Sequence, residues 1–197
     1  MGKLNFIDTI RNWKRKIRWN RQYKVGKWDY LFGDNEAPRY LKIIRLMEKY
    51  SQNPSVLDLG TGEGVLCEKM TNLKSPYTYF CGIDFSDVSI RKAKKFDFIN
   101  SEFKVADIHY FIPEKKYDVI IFNEVFYYIN NKLKQEVLEK VLSCLNKDGI
   151  LIVSIFKDGI GCWEFFENNE LKKLEFMTVK SPAKGCYWKL GVYKKII

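Results

Sequence analysis

Residues 55–64 of the chain, SVLDLGTGEG, decide its fold class. The first five form a short apolar run interrupted only by Asp58, which is typical of a strand buried in a parallel sheet. Gly60, Gly62 and Gly64 follow at alternate positions. Glycines at this spacing permit a tight turn and the close approach of a ligand to the backbone. Because a helical pattern begins directly afterwards, the stretch predicts a strand, a ligand-binding turn and a helix in succession.

Strand and helix patterns alternate along the rest of the chain. Helices are predicted at 37–51, 64–73, 86–96, 132–149 and 161–171, and strands at 55–60, 77–84, 101–107, 117–124 and 150–156. Two β-rich runs, 174–181 and 186–196, are joined by a turn signal at 182–185, so they must pair antiparallel. The pattern predicts an α/β fold in which helices flank a seven-stranded, mostly parallel sheet with an antiparallel last strand.

An acidic residue stands at the end of the second predicted strand. Asp84 lies twenty residues beyond Gly64, where a carboxylate can accept both hydroxyls of a ribose. The dinucleotide fingerprint GxGxxG is not met, because Val65 stands where it requires glycine. Asp58 would repel a pyrophosphate but suits a ligand with an ammonium group. Together these features predict a site for a nucleoside cofactor.

Five motifs in order make the chain similar to the class I S-adenosylmethionine-dependent methyltransferases. They are VLDLGTGEG at 56–64, GIDFS at 82–86, VAD at 105–107, YDVIIFNEVFYYI at 117–129 and LNKDGILIVSIF at 145–156. The chain departs mildly at Thr61, where the family often has cysteine, and at Asp148, where it often has proline. The resemblance covers about residues 37–195. Within the family, the nodulation-factor N-methyltransferases resemble this chain distantly. It implies a Rossmann-like three-layer sandwich, methyl transfer, and S-adenosyl-L-methionine as the cofactor.

The resemblance also implies which residues bind the cofactor. Asp84 would hold the ribose, Asp107 would reach the adenine amino group, and the Asn123 backbone would face the methionine part. The expected cofactor-binding residues are Asp58, Gly60, Thr61, Gly62, Gly64, Asp84, Phe85, Asp107, Ile108 and Asn123. No metal is expected, because the chain has a single histidine and no CxxC pair.

Two residues are candidates for catalysis. Glu124 follows the fourth predicted strand, and three roles are open for it: binding the cofactor, taking a proton from the acceptor, or a purely structural role. His109 is the only histidine; a surface or capping role is favoured over that of a general base. Tyr127 and Tyr128 would line the acceptor side or simply pack.

Residues 1–35 are expected to form a basic helix followed by an aromatic lid segment, ahead of a methyltransferase domain at 36–197. Phe6, Ile10, Trp13 and Ile17 recur at helical spacing and predict a helix over 4–19. A brace packed on the domain is favoured over an amphipathic element that binds a surface.

The aromatic residues 22–35 are interpreted as an ordered loop. Tyr23, Trp28 and Tyr30 are expected to close over the reacting centre and expel water, with packing in the core as the alternative.

The formal net charge of +10 is concentrated at the two ends of the chain, and a 46% hydrophobic composition excludes disorder. Residues 1–30 carry +7 and residues 172–197 carry +6, which leaves −3 between them. The leading hypothesis is methyl transfer to O or N of a small molecule or a sugar or glycan precursor. The alternatives are an RNA methyltransferase, favoured by the basic ends, and a non-catalytic cofactor-binding partner subunit. No run is long enough to span a membrane, so we expect a cytoplasmic protein; the oligomeric state is left open.

Overall fold

The computed structural model describes residues 6–196. Its strands are β1 (Ser55–Leu59), β2 (Tyr79–Asp84), β3 (Ser101–Val105), β4 (Tyr117–Asn123), β5 (Leu145–Phe156), β6 (Leu171–Lys180) and β7 (Tyr187–Lys195). Its helices are α1 (Phe6–Lys24), α2 (Ala37–Tyr50), α3 (Val65–Asn72), α4 (Asp87–Ala93) and α5 (Lys134–Ser143). Short 3-10 turns lie at Asp29–Phe32, Lys94–Phe96, Phe126–Tyr128 and Trp163–Phe166. None of the helices within residues 6–196 is long and apolar enough to cross a bilayer.

The seven strands form one sheet in the order β3-β2-β1-β4-β5-β7-β6. Strands β1 to β5 pair in parallel, and β7 lies antiparallel between β5 and β6. One apolar cluster joins the sheet to α5, and a second joins the opposite face to α2, α3 and α4. The predicted three-layer α/β sandwich with an antiparallel last strand is therefore confirmed.

The strand order reverses between β1 and β4, and this reversal places the site. In open α/β sheets, ligands bind in the crevice outside the carboxyl ends of the strands at such a switch point. Gly60 follows β1, while Asp84 and Asn123 are the last residues of β2 and β4. The topology thus brings the predicted cofactor residues to one edge of the sheet.

Three predicted helix boundaries are wrong. The helix predicted over 4–19 continues to Lys24, so Tyr23 lies in α1 and not in the predicted loop over 22–35. Helix α5, predicted over 132–149, ends at Ser143, and β5 begins at Leu145. Leu145 pairs with Tyr117 in β4, and the register of this strand pair shifts after that residue. The helix predicted at 161–171 does not form beyond the turn at Trp163–Phe166. There the Asn168 side chain donates to the Phe165 carbonyl and accepts from the Glu170 N–H, which offers the backbone an alternative to helical bonds.

The first helix, α1, packs on the sheet domain through its polar face. Asn12 donates to a carboxylate oxygen of Asp107 at 2.5 Å, and Asn20 donates to Asp87 at 2.5 Å. Asn20 also accepts a hydrogen bond from the Ser86 hydroxyl at 2.6 Å. These bonds tie the helix to residues that follow β2 and β3.

The apolar stripe of α1 points into solvent. Ile10 is 37%, Trp13 61% and Ile17 49% exposed. The Phe6 side chain and residues 4–5 of the predicted helix lie outside the described residues. The brace is present, but the apolar spacing did not identify the face that packs, because polar contacts with the strand ends decide the orientation.

Candidate active site

The turn after β1 is shaped by its three glycines. Gly60, Gly62 and Gly64 have φ angles of +77°, +58° and +82°, a region that other residues rarely adopt. A methyl group at Gly60 would lie 2.7 Å from the Val125 side chain, and one at Gly62 would lie 3.0 Å from the Tyr23 hydroxyl. The third glycine serves helix packing instead, since its nearest neighbours are in α4 and β3. Gly60 and Gly62 therefore allow Val125 and Tyr23 to pack closely against the turn.

Asp84 is a buried carboxylate at the end of β2. Its Oδ1 accepts the Ser86 N–H at 2.7 Å and its Oδ2 accepts the Gly62 N–H at 3.0 Å. Burial raises the pKa of Asp84, and these two backbone donors oppose that rise. The carboxylate thus fixes the glycine turn and keeps further acceptor capacity, since each oxygen has two lone pairs.

Asp58 lies in β1 beneath the same turn and is 1% exposed. Burial raises its pKa to about 7, and its Oδ1 has no hydrogen-bond partner among the described residues. A buried polar atom without a partner is costly unless a ligand or water satisfies it. Asp58 therefore suits a cationic group bound near the turn.

Two cavities meet at Gly60 and Asp84. The smaller has a volume of about 40 Å³ and reaches from Trp19 on α1 to Phe85 and Ile108. The larger has a volume of about 510 Å³. It extends from the glycine turn to the connection between β6 and β7. The predicted lid and acceptor residues all line it: Tyr23, Trp28, Tyr30, Tyr127 and Tyr128.

Asp107 and His109 border the smaller cavity and bond to each other. Asp107 Oδ1 lies 2.6 Å from His109 Nδ1, and its other oxygen accepts from Asn12. Although burial raises the pKa of Asp107, the hydrogen bonds from His109 and Asn12 outweigh it and hold that pKa below its usual range. His109 Nε2 accepts the Asn130 N–H at 3.0 Å. This arrangement leaves His109 with no free ring nitrogen to act as a base.

Glu124 follows β4 and enters the larger cavity. It has a φ of +59°, an uncommon conformation that costs of order 1–3 kcal/mol and is often found at functional sites. Its Oε1 accepts from the Ser154 hydroxyl at 2.8 Å and its Oε2 from the Tyr127 hydroxyl at 3.1 Å. Desolvation raises the pKa of Glu124, while the charge of Arg39 opposes the rise. The side chain is thus oriented and more basic than an ordinary glutamate.

Arg39 is a site residue to which the sequence analysis assigned no role. It is 1% exposed, and its guanidinium carbon lies 4.3 Å from the Tyr40 ring and 5.3 Å from the Trp188 ring. It donates to the Asn123 side chain and, at 2.8 Å, to Glu36. Its Nε has no partner among the described residues. The available signal was a cation on the buried face of α2, four residues before Ile43.

The α1 helix and the segment after it cover both cavities. Tyr23 is buried against Gly62, with its ring 6.0 Å from Trp28. Trp19 contacts the Tyr128 ring at 4.8 Å, and Arg15 donates to the Tyr128 carbonyl at 2.7 Å. The cover therefore begins within α1, earlier in the chain than the predicted lid segment.

A family model described as "Methyltransferase domain" matches residues 51–187. The chain belongs to the class I S-adenosylmethionine-dependent methyltransferases. The resemblance noted in the sequence is confirmed, and with it the cofactor S-adenosylmethionine (SAM) and the assignment as an enzyme.

Curated relatives are similar over part of their length. A malonyl-[acyl-carrier protein] O-methyltransferase of Bacillus cereus is 36% identical over 56% of this chain and 41% of its own length. Another, from Ilyobacter polytropus, is 36% identical over 73% of this chain and 54% of its own length. The methyltransferase described here thus spans about half the length of the curated relatives it matches.

Solved structures share the fold at low sequence identity. The N-methyltransferase NodS from Bradyrhizobium japonicum, in complex with S-adenosylhomocysteine (SAH), superposes with a TM-score of 0.72 at 17% identity, covering 86% of this chain and 92% of that one. The 1,6-didemethyltoxoflavin-N1-methyltransferase of Burkholderia thailandensis gives a TM-score of 0.76 at 15% identity, covering 100% and 93%.

Proposed function

We propose that this methyltransferase transfers the methyl group to an oxygen or nitrogen atom of a small-molecule acceptor. The observation that carries the proposal is the cavity of about 510 Å³, which joins the glycine turn to a space walled by aromatic rings. Glu124 and Arg39 both line that space. A cavity of this size suits a small ligand lying beside a cofactor.

The residues around the turn fit the cofactor. Asp84 retains acceptor capacity for ribose hydroxyls, and Asp58 offers an unpartnered buried oxygen near the turn for a cationic group. Phe85 and Ile108 line the smaller cavity beside Asp107, which suits the apolar faces of a base. When bound, SAM supplies a methyl group already activated by its sulfonium.

Side chains of the protein orient the acceptor and remove its proton. We assign Glu124 the role of accepting the proton of a hydroxyl or ammonium group, because desolvation raises its pKa and two hydroxyls hold it in place. Aromatic side chains around the cavity exclude water, which strengthens electrostatic contacts within it. Trp28 and Tyr30 belong to that wall.

A carboxyl acceptor is the second candidate. Arg39 has an unpartnered Nε and lines the larger cavity, and arginine is well suited to bind carboxylates. Two relatives named above are malonyl-[acyl-carrier protein] O-methyltransferases. A carboxylate has no proton to lose, so methyl transfer to it would not require Glu124.

The two candidates separate in one assay. SAH release is measured with pools of amines, hydroxy compounds and sugars, carboxylic acids including malonyl-[acyl-carrier protein], and RNA. For a protic acceptor, Glu124→Gln should lower kcat on the order of 100-fold, the usual scale of general-base catalysis. For a carboxyl acceptor, Glu124→Gln should leave kcat nearly unchanged and Arg39→Gln should raise KM.

Controls make a negative result interpretable. Glu139→Gln changes an exposed residue of α5 and should leave every parameter unchanged. The SAH dissociation constant of each variant shows whether a loss arises from cofactor binding. Turnover with RNA alone would overturn both candidates.

A further inference from the structure

The exposed side of α1 combines apolar and cationic side chains. We call Ile10, Trp13, Lys14, Ile17, Arg18 and Arg21 the outer face of α1. Its three apolar residues are between 37% and 61% exposed, and its three cations are also exposed. The opposite side of the helix is held by the polar bonds of Asn12, Arg15 and Asn20. The domain therefore fixes the helix with an amphipathic surface directed outward.

The charge along the outer face itself has a single sign. Residues 9–28 contain eight Lys or Arg and no Asp or Glu. The acid of α1, Asp8, has a side chain only 14% exposed. Positive side chains thus run along the length of the apolar stripe, and an occupant of this face has to be anionic.

We propose that the outer face of α1 lies on an anionic lipid surface. A helix with Trp and aliphatic residues flanked by Lys and Arg is suited to the boundary between headgroups and acyl chains. The tryptophan ring, with an apolar body and one N–H donor, favours that boundary. Mobile headgroups can also neutralise flexible cations spread along a helix without a fixed acceptor geometry.

A second copy of the chain fits this face less well. A symmetric contact places the same patch on both partners, so cations would face cations. An acidic protein and an RNA are the remaining anionic occupants. Either would have to place its carboxylates or phosphates opposite cations at separate positions along the helix, which a fluid lipid surface does not require.

Co-sedimentation with vesicles tests the proposal on the full chain. The probes are vesicles of phosphatidylcholine alone and vesicles that also contain phosphatidylglycerol. The wild-type chain should bind only the second kind, and added salt should weaken binding. Trp13→Ala with Ile17→Ser should weaken it at least about tenfold, since apolar burial is lost.

A charge-matched pair of variants separates the outer face from net charge. Lys14→Gln with Arg18→Gln should weaken vesicle binding about 30-fold, because two cations are removed and each contributes about 1 kcal/mol near an anionic bilayer. Lys147→Gln with Lys172→Gln removes the same charge from exposed positions elsewhere and should have little effect. All variants should keep the wild-type SAH dissociation constant, which shows that the site remains folded.

Several results would overturn the proposal. One is that the wild-type chain does not bind phosphatidylglycerol vesicles. Another is that the Lys147/Lys172 control loses as much vesicle binding as the Lys14/Arg18 variant. A dimer that the Trp13/Ile17 variant converts to a monomer would identify the face as a self-interface. Binding to an acidic protein domain or an RNA oligomer that is lost in the Trp13/Ile17 variant, with vesicle binding unchanged, would assign the face to that partner instead.

Discussion

Replacement of Asp84 by asparagine removes one negative charge without changing the shape of the side chain. In the wild type, the two carboxylate oxygens accept backbone N–H groups from Ser86 at 2.7 Å and Gly62 at 3.0 Å. An amide has one oxygen, so one of these donors faces an NH₂ group. The glycine turn then loses an anchor, and the cofactor's ribose hydroxyls lose the charged acceptor that we propose for them.

The expected loss of affinity follows from these bonds. A hydrogen bond to a charged group contributes about 1.5–3 kcal/mol, so Asp84→Asn should raise the SAH dissociation constant on the order of 10- to 150-fold. Isothermal titration of the full chain measures it, and circular dichroism checks that the fold is intact.

Asp118→Asn is the matched control. Asp118 also accepts from a backbone N–H, that of Ser55 at 2.8 Å, but it lies at the opposite end of the sheet. This variant should lower stability and leave the SAH dissociation constant unchanged. An unchanged affinity in Asp84→Asn, or an equal loss in Asp118→Asn, would refute the assignment of the ribose site.

Three further variants test other parts of the site. Burial raises the pKa of Asp58 from 3.8 to about 7, so the cofactor-free chain should lose stability as pH rises across that window. At pH 8, Asp58→Asn should therefore have a free energy of unfolding up to about 4 kcal/mol higher than that of the wild type, seen as a higher unfolding temperature. Below pH 4 the two proteins should be equally stable. Glu124 must be ionised to accept a proton, so kcat/KM should rise with pH through its raised pKa, and a pH profile of Glu124→Gln that keeps this limb would exclude it as the base. Asn20→Ala removes the bonds of α1 to Asp87 and Ser86. It should speed SAH dissociation about five- to tenfold in stopped-flow experiments, because α1 covers the cavities. An equal effect of the control Asn72→Ala on α3 would argue against this role of α1.

The central part of the site was predictable because its signals are local. Gly60 and Gly62 predict the turn from a few adjacent residues, and Asp84 is recognisable as the acidic residue that ends the next strand. Parallel strands then bring their carboxyl ends together without any further information. The fold class and the family followed from the same features.

The orientation of α1 was not predictable from its own sequence. Its 3.6-residue apolar spacing identifies an amphipathic helix but not the partner of each face. The packing face is decided by Asn12 and Asn20, whose partners Asp107 and Asp87 lie 95 and 67 residues away in the chain. Such pairs appear only once the sheet has placed the strand ends together.

Arg39 shows a second limit of sequence reasoning. The sequence shows that Arg39 lies on the apolar face of α2, but it does not show which residues bind a cation buried there. The structure identifies them as Asn123 and Glu36. The early start of β5 has a similar cause, since the pairing of Leu145 with Tyr117 is a contact between strands. Leu145 also fits the helical spacing of the preceding residues, so the local pattern favoured the wrong element.

A crystal structure of the full chain with SAH tests the proposed cofactor and acceptor sites most directly. We expect the ribose hydroxyls to bond to Asp84, the homocysteine part to lie on the turn at Gly60 and Gly62, and open space to remain between the sulfur and Glu124 for an acceptor. SAH that fills the space around Glu124 and Trp188, or that makes no contact with Asp84, would contradict this expectation.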